Sequence, residues 1–299
     1  MVNLSSVKRL IINADDFGMT AGVNQAIVEL GRWGVITSAT LMASAPETIA
    51  AAEAWLRRPN IGVGCHVVLV DGTPVSDPAS IPTLLDPKGV EPRFRPTRGA
   101  FVRDLLRGRI READIEAEVV AQIRRLQQLD VTITHVDSHK HTHAFPRVLR
   151  PLLRAAVLCN VACIRNPFEP QWSIAATGKA GLLRRLQVRA LNRQRRYFLD
   201  ATEHIGVCTT DGSLGVLATG SLDEATLRRI LEAMPEGTWE LVCHPGYVDA
   251  ELRAAGTRLI ESRDIERGAL GEVIPEVARR NVSLIHFGQL KAASFAAVM

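Results

Sequence analysis

Short runs rich in Val and Ile recur along the chain, and each is followed by a longer stretch of helical period. That alternation is the signature of repeated βα units, whose parallel strands are buried on both faces. The runs fall at residues 9–13, 36–43, 61–70, 133–137, 161–165, 206–210, 239–243 and 282–287. Their number approaches that of a closed barrel, so the expected fold is α/β: a (β/α) barrel of the TIM type, with room for distortion. Helix starts reinforce the pattern: Thr20 before AGVNQAIVEL, Pro46 opening PETIAAAEAWL, Pro146 opening PRVLRPLLRAA, and Ser221 with Glu224 as a capping box.

Two stretches interrupt the alternation, 71–108, rich in Pro, Gly and Arg, and 169–202, which carries a run of arginines. Both read as loop insertions, where barrels place substrate specificity. No linker divides the sequence, so one domain over residues 1–299 is expected. Hydrophobic residues at 46% and charged residues at 23% are enough for a sizeable core. A net charge of +4 is too mild to imply nucleic acid as a partner. The opening MVNLSSVKRLIINADD lacks a basic-then-apolar signal architecture, and no uncharged apolar run reaches the roughly 18 residues of a membrane span. A cytoplasmic location is the expectation. Cys65, Cys159, Cys163, Cys208 and Cys243 are scattered and mostly lie in apolar runs, which suits reduced core thiols.

The unusual polar residues cluster at the ends of the expected strands, where a β/α barrel assembles its site. The first strand ends in Asp15-Asp16, adjacent carboxylates that are costly to desolvate without a cation or a shared proton. A helix cap beside a surface carboxylate is the plainer explanation of that pair alone. The third strand carries His66 in an apolar run, where a lone histidine is more often a hydrogen-bonded core residue than a ligand. ITHVDSHKHTH holds His135, His139, His141 and His143, together with Asp137. Period two puts His135, Asp137 and His139 on one strand face, where an imidazole can bind metal while Asp137 orients a neighbour. A solvated loop accounts for His141 and His143. His244, before Pro245 and Gly246, ends the seventh strand.

Taken in order, N-A-D-D-F-G, G-x-H, H-x-D-S-H-x-H and H-P-G-Y resemble the motifs of the YdjC-like carbohydrate deacetylases, over residues 9–289. HVVLVDGTPV and RNPFEP are more similar to its hopanoid-biosynthesis-associated branch. The resemblance implies a metal-dependent N-deacetylase acting on an N-acetylated amino sugar, in that branch the N-acetylglucosaminyl group of a hopanoid lipid. It implies that Asp16, His66 and His139 hold one divalent cation, Zn²⁺ or Mg²⁺, that Asp15 is the general base, and that His244 is the general acid. His135 and Asp137 are candidates for orienting the ligands, and Arg165, Glu169 and Arg258 for touching substrate. Competing expectations are a soluble chito-oligosaccharide deacetylase, a phosphoesterase or amidohydrolase with a multinuclear metal cluster, and a non-catalytic lipid- or sugar-binding barrel.

Between Pro170 and Leu199 there is no Asp or Glu, while Lys179, Arg184, Arg185, Arg189, Arg193, Arg195 and Arg196 are all basic. Leu182, Leu183, Leu186, Ala190, Leu191 and Phe198 recur near helical spacing, so residues 179–198 are expected to meet an anionic membrane through an amphipathic helix. The same stripe could instead pack on the barrel.

Overall fold

The computed structural model describes residues 7–57, 60–178, 181–278 and 282–290. Its strands are β1 (Lys8–Phe17), β2 (Ser38–Leu41), β3 (Gly62–Val67), β4 (Ile133–Ser138), β5 (Cys163–Ile164), β6 (Gly212–Leu214), β7 (Gly237–Cys243) and β8 (Val282–Leu284). Between and after them come α1 (Ala21–Arg32), α2 (Thr48–Leu56), α3 (Arg98–Leu106), α4 (Glu112–Gln128), α5 (Pro146–Leu158), α6 (Gln171–Ala176), α7 (Leu182–Asn192), α8 (Arg195–Ile205), α9 (Glu224–Glu232), α10 (Ala250–Ala254) and α11 (Glu261–Ala278).

All strand pairs are parallel, in the order β5-β4-β3-β2-β1-β7-β6, with β8 also on β1. This is a distorted (β/α) barrel. Its distortion is visible on β1. β7 runs along Lys8 to Ala14, while β8 pairs only with Lys8 to Leu10 and β2 only with Asn13 to Phe17. β8 and β2 therefore share one edge of β1, and Thr37 joins them, its hydroxyl donating to the Ile285 carbonyl and accepting from the Ile12 amide.

The run at 206–210 does not become the sixth strand. Cys208 makes a single parallel bridge to Cys163, and β6 begins only at Gly212. Side chains take over the ladder there: Thr209 Oγ1 donates to the Ile164 carbonyl and Asn166 Nδ2 to that of Thr210. Thr20 and Pro146 open their helices as expected. α2 starts later than Pro46, with Glu47 at its N-cap, and the expected Ser221 box is replaced by Asp223, whose carboxylate accepts from the Thr226 amide. Ser221 instead donates to the Ala218 carbonyl.

Strand alternation divides the sheet into two chemistries. Leu10, Ile12, Ala14, Leu41, Leu241 and Cys243 point outward into the large apolar core under the helices. Each fully buried aliphatic side chain there contributes about 1.5–3 kcal/mol. Asn13, Asp15, Thr40, His66, Asp137, Arg165 and Glu240 point inward and bond one another. Nearer the strand N-termini, Ile11, Cys163, Phe287 and Leu290 fill the barrel with a small apolar plug. His135 stacks on Phe287 with ring centroids 3.8 Å apart. β3 makes room for that stack by having glycine at the facing position, since a Cβ on Gly64 would stand 2.4 Å from the His135 ring.

Gly64→Ala is therefore expected to push the His135–Phe287 pair out of register and to cost about 1–3 kcal/mol of overpacking. Urea denaturation of variant and parent at neutral pH measures this, and unchanged midpoints would show that the barrel floor is looser than described.

Candidate active site

Asp15 faces inward by strand parity, which would send Asp16 outward. A register shift in the β1–β2 pairing between Ala14 and Phe17, with Asp16 in the left-handed region at φ 65°, turns the second carboxylate to the barrel mouth as well. Asp16 Oδ2 accepts from Arg263 at 2.5 Å. Its buried Oδ1 has no hydrogen-bond partner among the described residues and lies 3.5 Å from His66 Nε2 and 3.2 Å from His139 Nδ1. Those two nitrogens are 3.3 Å apart.

One carboxylate oxygen and two imidazole nitrogens in such a triangle form a group that can hold a metal ion. Ligands at about 2.0–2.1 Å in tetrahedral array stand about 3.4 Å apart, close to the spacing here. Asp137 completes the arrangement by bonding His66 Nδ1 at 2.8 Å, which leaves Nε2 facing the mouth. Burial opposes the His66 imidazolium, but Asp137, Asp15 and Asp16 outweigh it and push its pKa up to about 10. A cation must therefore displace a proton there. A second triad, Asp15, His66 and Asp137, is also close-set, but the Arg165 guanidinium already pairs with both of its carboxylates.

Asp15 is buried, which by itself raises a carboxyl pKa, yet Arg165, His66 and His244 hold it far below the usual range. Asp15 Oδ1 accepts from Asn13, Thr40 and Arg165, whereas Oδ2, among the described residues, accepts from Arg165 alone and lies 3.9 Å from His244 Nε2. On the far side of its ring, His244 Nδ1 is 3.7 Å from Glu266, whose Oε2 also accepts from the His244 amide at 2.6 Å. Burial disfavours the His244 imidazolium, but Glu266, Asp15 and Asp16 prevail and raise its pKa.

Asp15, Asp16, His66, His139 and His244 thus line one cavity of about 510 Å³ at the barrel mouth. The remaining histidines divide. β4 ends at Ser138, so His139 arrives on a 3₁₀ turn rather than on the strand face, with Lys140 and His141 at φ 58° and 52°. His141 lines the cavity. His143 does not sit on a solvated loop; it is buried, bonded through Nδ1 to Ser138, and burial pushes its pKa down to about 4. His135 is likewise buried and neutral, its pKa pushed down to about 3.

Arg165 is fully buried and meets Asp15, Asp137 and Glu240 instead of reaching substrate. Glu169 is buried too, accepting from Ser173 and the Gly215 and Leu217 amides, whereas Arg258 does line the cavity. Glu240, Arg263 and Glu266 escape sequence reasoning. Glu240 lies on strand parity with His244 and was in principle legible; Arg263 and Glu266 reach in from α11, where no strand period marks them.

A protein-family model described as YdjC-like protein matches residues 9–273. A carbohydrate deacetylase of Geobacillus stearothermophilus is 32% identical over 93% of this chain and 96% of its own length. Another, from Thermoanaerobacter pseudethanolicus, is 28% identical over 95% of this chain and all of its own. A solved structure from Enterococcus faecalis V583, described in terms of cellobiose-phosphate cleavage, superposes with a TM-score of 0.75 at 24% identity, covering 95% of this chain and 99% of that one.

Arg165→Gln would leave three buried carboxylates without their cation and is expected to cost roughly 3–5 kcal/mol at pH 7. In the parent, the lowered pKa values of Asp15 and Asp137 give stability that is present above the ordinary carboxyl range and lost as pH falls. Without Arg165 the same carboxyls titrate high, so the deficit of the variant relative to the parent should shrink as pH falls from about 7 to about 5. Urea midpoints across that interval test it, and a deficit constant with pH would remove Arg165 from its charge-balancing role.

Proposed function

The chain belongs to the YdjC-like protein family, and from that premise we propose that it is a metal-dependent N-deacetylase acting on an N-acetylated amino sugar. The reading rests above all on one juxtaposition: a two-nitrogen, one-oxygen donor triad beside the Asp15–His244 pair, whose facing atoms are 3.9 Å apart. Asp16, His66 and His139 would hold the ion. A divalent cation there, Zn²⁺ or Mg²⁺, supplies Lewis-acid activation of water and of the acetamide carbonyl.

Asp15 accepts, on Oδ2, the proton that water releases as its oxygen attacks the carbonyl carbon. Arg165 holds that carboxylate in place and ionised. His244 gives a proton to the departing nitrogen, and acetate and the free amino sugar result. Its raised pKa favours the protonated form near neutral pH, so activity through this residue declines as pH rises past that value. Arg165, lodged in the second carboxylate triad, argues for one cation rather than the cluster a multinuclear phosphoesterase needs.

Asp15→Asn should keep metal, measured by elemental analysis, while acetate release falls by roughly 10²- to 10⁴-fold. Asp16→Asn and His139→Ala should lose the metal itself. His244→Ala should keep metal and slow amides far more than activated aryl acetates, whose leaving group needs no proton. Full activity of Asp15→Asn at saturating metal, or equal loss on both substrate types for His244→Ala, would contradict the assignment.

For the acceptor we infer a lipid-linked N-acetylglucosaminyl group, as in a hopanoid. In support, α7 exposes Leu182 (74%) and Leu186 (52%) one turn apart, while Arg184 and Gln187 of the same helix line the cavity. The apolar stripe is shorter than expected: Phe198 is buried and Leu191 packs on the core. Arg184 and Arg185 donate to the Val216 and Gly178 carbonyls, and Lys179 lies outside the described residues. Arg189, Arg193 and Arg196 remain exposed for headgroups. Among the described residues no helix is long and apolar enough to cross a membrane, so attachment would be peripheral. Co-sedimentation with anionic liposomes that weakens at high salt, and in Arg189→Gln/Arg193→Gln/Arg196→Gln, is the expected result; absence of binding, with good turnover of soluble chito-oligosaccharides, would favour a soluble acceptor.

A further inference from the structure

Glu240 is a buried acid that the reaction as described leaves idle. It stands on β7 with no exposure and does not line the cavity, so substrate does not reach it. Its Oε1 accepts from Arg165 Nε at 2.7 Å. The far edge of the same guanidinium serves Asp15, with Nη1 2.8 Å from Oδ2 and Nη2 2.6 Å from Oδ1, and Nη1 also pairs with Asp137. One planar cation therefore touches the carboxylate proposed as the base and a second carboxyl that never meets the substrate.

A third carboxylate on one guanidinium is costly to bury in its charged form. The titratable groups that bear most on Glu240 are Arg165 from the end of β5, Asp15 from β1, Asp137 from β4 and, along its own strand, Cys243, a thiol that burial keeps protonated. β6 contributes Ser213, which is neutral. Ser213 gives its single proton to the Asn166 carbonyl at 2.6 Å, so its oxygen, 3.4 Å from Glu240 Oε2, is placed to accept from a protonated carboxyl. Ser213 thus suits the neutral acid and Arg165 the ionised one. Burial raises the Glu240 pKa, Arg165 lowers it, and repulsion from Asp15 and Asp137 raises it again, to about 7.

We propose that Glu240 acts on the reaction through Arg165: by binding or releasing a proton it sets how much of the guanidinium charge is left to Asp15, and so how strongly Asp15 accepts the proton of the attacking water. The inference rests on the deacetylase reading and is independent of the lipid one. With Glu240 protonated, Arg165 belongs to Asp15 and Asp137, and Asp15 is a weak acceptor. With Glu240 ionised, the same positive charge is shared three ways in a low dielectric, and Asp15 Oδ2, the oxygen facing His244, holds a proton more firmly. Acetate release through Asp15 therefore rises as Glu240 ionises, an effect that loss of the His244 proton opposes at higher pH.

The test follows metal-loaded parent, Glu240→Gln and Ser213→Ala across about pH 5.5 to about 8.5, by kcat/KM for acetate release from N-acetylated amino sugars and by the Arg165 Nε–H resonance in NMR titrations. In the parent the resonance should move with a midpoint at about 7, and the rate should rise roughly three- to tenfold through it. Gln keeps the shape and neutrality of the protonated acid, so in Glu240→Gln the resonance should stand still and the rising limb should vanish, with metal content unchanged. Ser213→Ala removes the acceptor of the neutral acid while keeping every charge, so both midpoints should move together to lower pH. Should Glu240→Gln fail to fold by circular dichroism, Ser213→Ala carries the test alone. A rising limb that survives Glu240→Gln, or that stays put while the resonance shifts in Ser213→Ala, overturns the proposal. A flat Arg165 resonance in an enzyme that releases acetate overturns it too and leaves deacetylation standing. A resonance that titrates in the parent and is silenced by Glu240→Gln, with no acetate freed from any N-acetylated sugar, keeps the shared charge and sinks deacetylation.

Discussion

The site depends on one buried guanidinium. Arg165 stands at the end of β5 with no exposure, and its nitrogens pair with Asp15, Asp137 and Glu240, carried by β1, β4 and β7. Buried charges are tolerated only when matched, and this arrangement exceeds one-to-one matching. The structure relieves the excess in two ways. Burial, aided by repulsion from Asp15 and Asp137, pushes Glu240 up to about 7, so that carboxyl retains a proton part of the time near neutrality. His66 supplies a further positive charge against Asp137.

From that balance follows the division of labour at the mouth. Asp15 accepts on Oδ1 from Asn13, Thr40 and Arg165, while its Oδ2, which also accepts from Arg165, is the oxygen that faces His244. Asp137 likewise ties Arg165 to His66, and so fixes the ring whose other nitrogen faces Asp16. Arg263 and Glu266, one helical turn apart on α11, brace Asp16 and His244 from outside the sheet. Asp15, Asp16, His66 and His244 are thus each held by a partner that does not line the cavity, which fixes their positions relative to one another.

The insertions supply the outer wall. They contribute Asp71, Pro96, Thr97, Arg98, Arg184 and Gln187 to the cavity. The candidate ligand and acid–base residues stand at the ends of strands and the insertion residues above them, a separation β/α barrels permit because their mouth and core are built from different residues. The backbone left-handed at Lys140 and His141 marks the boundary, where β4 gives way to the turn that presents His139.

Much of this was legible in the sequence. Strand alternation has a period of two that local sterics enforce, so the βα pattern, the inward placement of Asp15, His66 and Asp137, and the clustering of Asp16, His139 and His244 at strand ends could be read directly. The two insertions also stood out by composition. Other features depended on contacts across the chain. Parity sends Asp16 outward; only the irregular β1–β2 pairing and its left-handed backbone bring it to His66. The 206–210 run has strand composition, but its main-chain pairing stops at Cys208, side chains of Thr209 and Asn166 make the next bonds, and β6 begins only at Gly212. Arg165 read as a substrate-contacting residue because a sequence cannot say that three carboxylates wait around it. Charge carries no period, and its meaning is decided by which distant residues folding brings within a few ångströms, where a low dielectric makes each partner decisive.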